Sequence, residues 1–183
     1  MLTQTYLIMK KILLLVLVLG YSFYGYSQDA KYGVRTGLNI SNLDFDGESF
    51  PDNIHRNGFV IGFFAEFALS NKVSLLPELQ FSAEGAKEEP LHLDYLQAPV
   101  LFGFKLSPKL FFQVGPQVGL KINKFDDGIK NFAYSGFGGL SYNITPMVFV
   151  DARYTYGFSN ILYDYFGATA KNRNIQFGVG YKF

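Results

Sequence analysis

Tight-turn signals recur in this chain at a nearly fixed interval, and no other feature restricts its fold as strongly. Ser70-Asn71-Lys72, Ser107-Pro108-Lys109 and Ile144-Thr145-Pro146 are built from residues that favour turns for definite backbone reasons. Asn71, Pro108 and Thr145 stand about 37 residues apart, one further step reaches Lys182, and one step back reaches Val34. The chain thus counts out four strand–long connection–strand units joined by three short turns. That predicts eight strands, with longer connections over residues 42–56, 84–90, 123–130 and 158–172.

Between the turns the residues alternate at period two, which places them on opposite faces of strands. In the last strand Ile175, Phe177, Val179, Tyr181 and Phe183 share one face, and Asn174, Gln176, Gly178, Gly180 and Lys182 the other. Val148, Val150, Ala152, Tyr154 and Tyr156 oppose Asp151, Arg153 and Thr155 in the seventh. Val73, Leu75, Pro77, Leu79 and Phe81 oppose Ser74, Glu78 and Gln80 in the third. Phe59, Ile61, Phe63, Phe67 and Leu69 oppose Gly58, Gly62 and Glu66 in the second, and Gln113, Gly115, Gln117, Gly119 and Lys121 line one face of the fifth. The sixth, near residues 134–143, is glycine-rich and ambiguous in its facing.

Alternation alone does not say which face meets water, because a soluble lipocalin-like barrel or a sandwich alternates too. Three features favour an apolar face turned to lipid. The second face is rich in Gly, Gln and Ser with scattered charges, as a cramped lumen requires, rather than in Lys, Glu and Thr. The chain stops on an aromatic, Phe183, at the end of an apolar-out strand. Short turns at one end and long loops at the other match the asymmetry of transmembrane barrels. The expected fold is therefore all-β, an up-and-down eight-stranded antiparallel transmembrane β-barrel.

The N-terminus reads as an address. Lys10 and Lys11 precede the apolar run from Ile12 to Leu19, and Gly25 and Ser27 occupy the −3 and −1 positions of a cut before Gln28. The run is shorter than the roughly 20 residues of a membrane-spanning helix. The expected division is residues 1–27 as signal peptide, with Met9 an alternative start, and residues 28–183 as barrel domain. Formal net charge is +1, and loss of Lys10 and Lys11 makes it −1, which gives no electrostatic reason to expect nucleic acid. The absence of Cys removes disulfides, thiol catalysis and an N-terminal lipid anchor on cysteine.

Several segments resemble the PorT-like outer-membrane β-barrel (porin) family. Gly33-Val34-Arg35-Thr36-Gly37-Leu38-Asn39 is similar to its first strand, and Leu76-Pro77-Glu78-Leu79-Gln80-Phe81-Ser82 to its third. Asp94-Tyr95-Leu96-Gln97-Ala98-Pro99-Val100 is similar to its fourth, where an acidic residue is commoner than Gln97. Asp151-Ala152-Arg153-Tyr154-Thr155-Tyr156-Gly157 and Gly180-Tyr181-Lys182-Phe183 fit the last two. The resemblance implies an outer-membrane location, contact with outer-membrane lipid and lipopolysaccharide, and barrel-assembly machinery that reads Phe177, Val179, Tyr181 and Phe183. It also suggests an accessory subunit of a secretion or transport machine as an alternative to a structural or interaction role. A narrow small-solute channel is a third reading.

The chemistry-bearing residues point away from catalysis. His55 and His92 are the only histidines and fall in predicted loops. His92 with Asp94, and Ser82 or Ser49 as nucleophile, is the one hydrolase arrangement available, and no Gly-x-Ser-x-Gly context supports it. Asp44, Asp46, Glu48 and Asp52 are hard oxygen ligands around Gly47, but the full calcium-loop pattern is missing. Asp126-Asp127-Gly128 reads as a turn, and the glycines of residues 136–139 lack a phosphate-loop lysine. No enzyme activity, cofactor or metal is expected. The more informative set is the polar-face group Arg35, Glu66, Glu78, Gln97, Lys105, Lys121, Asp151 and Arg153, predicted to pair inside a lumen just wide enough for side chains.

Overall fold

The computed structural model describes residues 30–46, 54–123, 128–163 and 169–183. The strands are β1 (Lys31–Asp46), β2 (Arg56–Ala68), β3 (Val73–Gly85), β4 (His92–Lys105), β5 (Leu110–Lys121), β6 (Phe132–Asn143), β7 (Val148–Gly157) and β8 (Thr169–Lys182). Each pairs antiparallel with the next, and β1 pairs with β8 from Gly33↔Lys182 to Asp46↔Thr169, closing the barrel. Closure is what a lipid-spanning sheet needs, because an open edge leaves backbone groups unpaired in hydrocarbon.

The three short turns share one design. The Ser70 hydroxyl accepts from the backbone N–H of Lys72 (3.3 Å) and Val73 (3.1 Å). Ser107 does the same for Lys109 (3.4 Å) and Leu110 (3.1 Å), and Thr145 for Met147 (3.2 Å) and Val148 (2.9 Å). The third turn is therefore Thr145-Pro146-Met147, one residue later than the expected Ile144-Thr145-Pro146. The hydroxyl must stand first to reach two following amides.

Side-chain facing follows the alternation. Leu38 and Phe63 are 67% and 66% exposed on the outer face, while Arg35, Asn39, Gln80 and Gln176 are buried inside. The sixth strand resolves with Phe132, Tyr134, Leu140 and Tyr142 outward and Phe137 and Ser141 inward. The lumen also takes large apolar groups that the polar-face reading passed over. At the turn end the Phe64 and Phe149 rings meet edge-on at 5.6 Å. Phe64 packs over Gly33 and Phe149 over Gly180 on neighbouring strands, where a Cβ would lie 2.3 and 2.1 Å from the rings.

Strand bounds correct the expected loops. β1 continues past Asn42 to Asp46, β8 begins at Thr169, and His92 opens β4 rather than lying in a loop. β1 has 16 residues, beyond the roughly 9–11 that cross a bilayer. Once past the lipid, backbone pairing continues to satisfy its own hydrogen bonds, and polar side chains no longer end a strand.

Candidate functional site

The lumen is filled in layers. At the turn end, under the Phe64 and Phe149 rings, Lys182 Nζ meets Glu66 Oε2 at 2.8 Å and lies 5.4 Å from the Phe149 ring centre. The next layer is a charged chain. Arg35 Nε and Nη2 donate to Asp151 Oδ2 and Oδ1 at 2.7 and 2.6 Å, and Arg35 Nη1 donates to Gln176 at 3.2 Å. Arg153 Nη1 and Nη2 donate to Glu78 Oε2 and Oε1 at 2.8 and 2.9 Å. Arg153 Nε lies 3.3 Å from Asp151 Oδ2, which links the two pairs, and its guanidinium stands 5.0 Å from the Phe137 ring centre. These four charged side chains are at most 4% exposed. Bidentate geometry with planar guanidinium forks is the arrangement that best offsets their desolvation.

Gly178 allows this packing. A Cβ there would fall 2.7–2.8 Å from the Arg35 guanidinium atoms.

Above the charges lies an amide relay. Gln80 Nε2 donates to Gln97 Oε1 at 2.8 Å, and Gln97 Nε2 donates to Glu84 Oε1 at 2.7 Å. Asn172 Nδ2 donates to the other Glu84 oxygen. Asn39 Nδ2 donates to Ser82 at 2.9 Å. At the loop end an apolar cluster covers the polar lumen: Leu43 of β1, Ala86 after β3, Leu93 and Tyr95 of β4, Ile129, Ile161 and Ala170. Phe45, Leu91 and Leu162 pack against it. The connections after β3, β5 and β7 contribute to this cap together with the end of β1, so they share a small core of their own.

Most of the polar-face residues named from sequence meet here, and one does not. Arg35, Glu78, Asp151 and Arg153 form the charged chain, and Gln97 sits in the relay. Lys121 is fully buried near the cap, with Nζ 3.4 Å from the Ile129 carbonyl. Glu66 is half-buried at the turn-end mouth. Lys105 is the correction. It ends β4 at the turn-end rim and is exposed, so water solvates its charge and no lumen partner is required. Glu84 and Asn172 were missed because both were assigned to loop ends. Period two carried on from Glu78, Gln80 and Ser82 reaches Glu84, and carried back from Asn174 reaches Asn172.

The other candidates do not converge. Ser82 faces the lumen. His92 Nε2 reaches the Lys87 carbonyl at 3.1 Å, and Asp94 pairs with Arg56 at 2.9 Å. His55 forms an isolated bridge with Ala86. Asp44 pairs with Arg173 on the outer face. Glu48, Ser49, Asp52, Asp126, Asp127 and the signal segment lie outside the described residues, as does the Asp46 side chain. Among the described residues no three His, Cys, Asp or Glu side chains form a metal-holding group. Phe177, Val179, Tyr181 and Phe183 face outward, and the Phe183 N–H closes on the Tyr32 carbonyl at 2.9 Å.

Known barrels share this architecture. Neisserial surface protein A is 17% identical, with 85% of this chain and 100% of that chain covered at a TM-score of 0.58. Ail, the attachment invasion locus protein of Yersinia pestis, is 19% identical, with 85% and 100% covered at a TM-score of 0.53. At such identities the likeness speaks for the fold. No curated protein sequence matches the chain. The model of the outer membrane protein beta-barrel domain family matches residues 26–163, most of the sequence. With a closed eight-stranded barrel, a lipid-facing apolar surface and that match, the chain belongs to the outer membrane protein beta-barrel domain family and is an outer-membrane protein.

Proposed function

We propose that this protein is a sealed barrel with a structural or interaction role, which anchors in the outer membrane and presents its long connections outside. The observation that carries this reading is the layered lumen: aromatic rings at the turn end, a buried ion-pair chain, and the apolar cap. A hydrated ion crossing it must displace paired charges and then pass a dry layer, and both steps are costly. This counts against a small-solute channel. The separation of Ser82, His92 and Asp94 supports a non-catalytic role.

The finer parts of the proposal rest on sequence. The chain is a PorT-like member made with a cleaved signal peptide over residues 1–27. Its partners are outer-membrane lipid and lipopolysaccharide, barrel-assembly machinery during biogenesis, and an envelope protein not yet identified. An accessory subunit of a secretion or transport machine would use the same barrel as its anchor, and cross-linking followed by pull-down from envelopes separates the two readings. The sealed lumen is tested with purified protein in a planar bilayer. No steady porin-size openings are expected, and steady large openings from the monomer refute the seal.

A further inference from the structure

We propose that the turn-end mouth of the barrel binds the phosphate of an anionic phospholipid in the inner leaflet of the outer membrane, through Lys31, Lys72 and Lys105. This rests on the orientation proposed above, with the long connections outside and the short turns toward the periplasm.

The three lysines line one cleft of about 280 Å³ beside the first short turn, together with Glu66, Ser70 and Asn71. Among the described residues, none of the three forms an ion pair. Glu66, opposite Lys31 in the register, is the one acidic residue of the cleft wall. It already holds Lys182 at 2.8 Å. The mouth therefore gathers more positive charge than its own carboxylate balances.

The arrangement also sets like charges against each other. Val73 pairs with Phe104, so the next residues outward, Lys72 and Lys105, face each other across β3 and β4. The Lys105 N–H donates to the Lys72 carbonyl at 2.8 Å. Both lysines continue the lumen phase of Ser74 and Gly103, which places them on one face. Like charges directly opposite are unfavourable. Water solvates each ammonium and leaves the positive charge of the cleft in place. An anion offsets it.

The wall beside the cleft selects the anion. The outer surface stays apolar to the rim, with Phe104, Leu69 and Leu106 38%, 40% and 59% exposed. Acyl chains lie on these side chains, and the headgroups of the same lipids come level with Lys72 and Lys105. Ammonium groups on long flexible stems reach such headgroups as point charges. The cleft lies just under the roughly 300–1,000 Å³ of drug-sized ligand pockets, so it takes a headgroup and not a whole lipid. Phosphatidylglycerol presents its phosphate with no cation of its own. Phosphatidylcholine brings an ammonium, which the lysines repel.

The test folds the full chain in detergent with equal phosphatidylglycerol and phosphatidylcholine, and native mass spectrometry identifies the retained lipid. Phosphatidylglycerol should be retained in preference, one per barrel. Lys72→Gln and Lys105→Gln should each lower that preference about fivefold, the effect of removing one charge near an anionic surface. Lys109→Gln removes a lysine of the same rim that lies outside the cleft, and should leave the preference nearly unchanged. All three side chains are exposed, so each variant should fold and keep its heat-modifiable band. Equal losses from Lys109→Gln and Lys105→Gln mean a diffuse field and overturn the site, as does a wild type without preference. Inorganic phosphate in about a hundredfold excess should not displace the lipid, whose chains hold it beside the cleft. Displacement overturns the lipid as the source of the phosphate. Orientation is checked apart, since the chain has no cysteine of its own. An impermeant maleimide should reach Asn71→Cys only after the outer membrane is opened. Labelling in intact cells overturns the orientation and the inner-leaflet site together, whereas loss of the lipid preference alone overturns only the site.

Discussion

Replacing Arg153 by Met tests whether the barrel interior is dry and paired. Arg153 is 1% exposed at its side chain, donates twice to Glu78 at 2.8 and 2.9 Å, and approaches Asp151 at 3.3 Å. Met keeps much of the stem but removes the fork. Asp151 retains Arg35, while Glu78 is left as a buried carboxylate with no cation. Breaking one side of such a pair costs about 3–5 kcal/mol. For a domain of this size that lowers Tm by about 6–20 °C. Two comparisons isolate the cause. Arg173→Met removes a pair that is 40% and 42% exposed, and should cost about 0–1 kcal/mol. The double variant Glu78→Leu with Arg153→Met removes both charges, and should recover most of the lost stability. Urea unfolding of detergent-folded protein, read as the heat-modifiable band, gives all four corners of the cycle when Glu78→Leu alone is measured beside the wild type, Arg153→Met and the double variant. An Arg153→Met cost under about 1 kcal/mol, with no coupling to Glu78, would refute a dry, paired lumen.

Gly180→Ala should destabilise by about 1–3 kcal/mol, because its Cβ would lie 2.1 Å from the Phe149 ring that Phe64 holds in place. Gly138→Ala, with nothing within 4 Å of the new Cβ, should stay within about 0.5 kcal/mol of wild type. Urea midpoints compare the two. Phe183→Asp should sharply lower the folded outer-membrane form, measured by fractionation and band shift. Insertion at wild-type yield would show that the terminal aromatic is no assembly signal.

Strand number, order and facing were legible in the chain because each rests on local rules. Turn chemistry acts within three or four residues, and side-chain facing has a period of two. Hence Ser70, Ser107 and Thr145 mark the turns, and Phe177 and Gln176 take opposite faces, with no need of a fold. Misreadings fell where a local rule ended. Lys105 keeps the lumen phase but lies at the rim, and Glu84 and Asn172 lie in strands that outrun the membrane. The choice of partners inside the lumen is another matter. Arg35 meets Asp151 across 116 positions, Arg153 meets Glu78 across 75, and Asn172 meets Glu84 across 88. Those meetings depend on the register between strands and on the closure of β8 onto β1. Closure staggers all eight strands together, so which inward residues share a layer is a property of the whole barrel that no single strand contains.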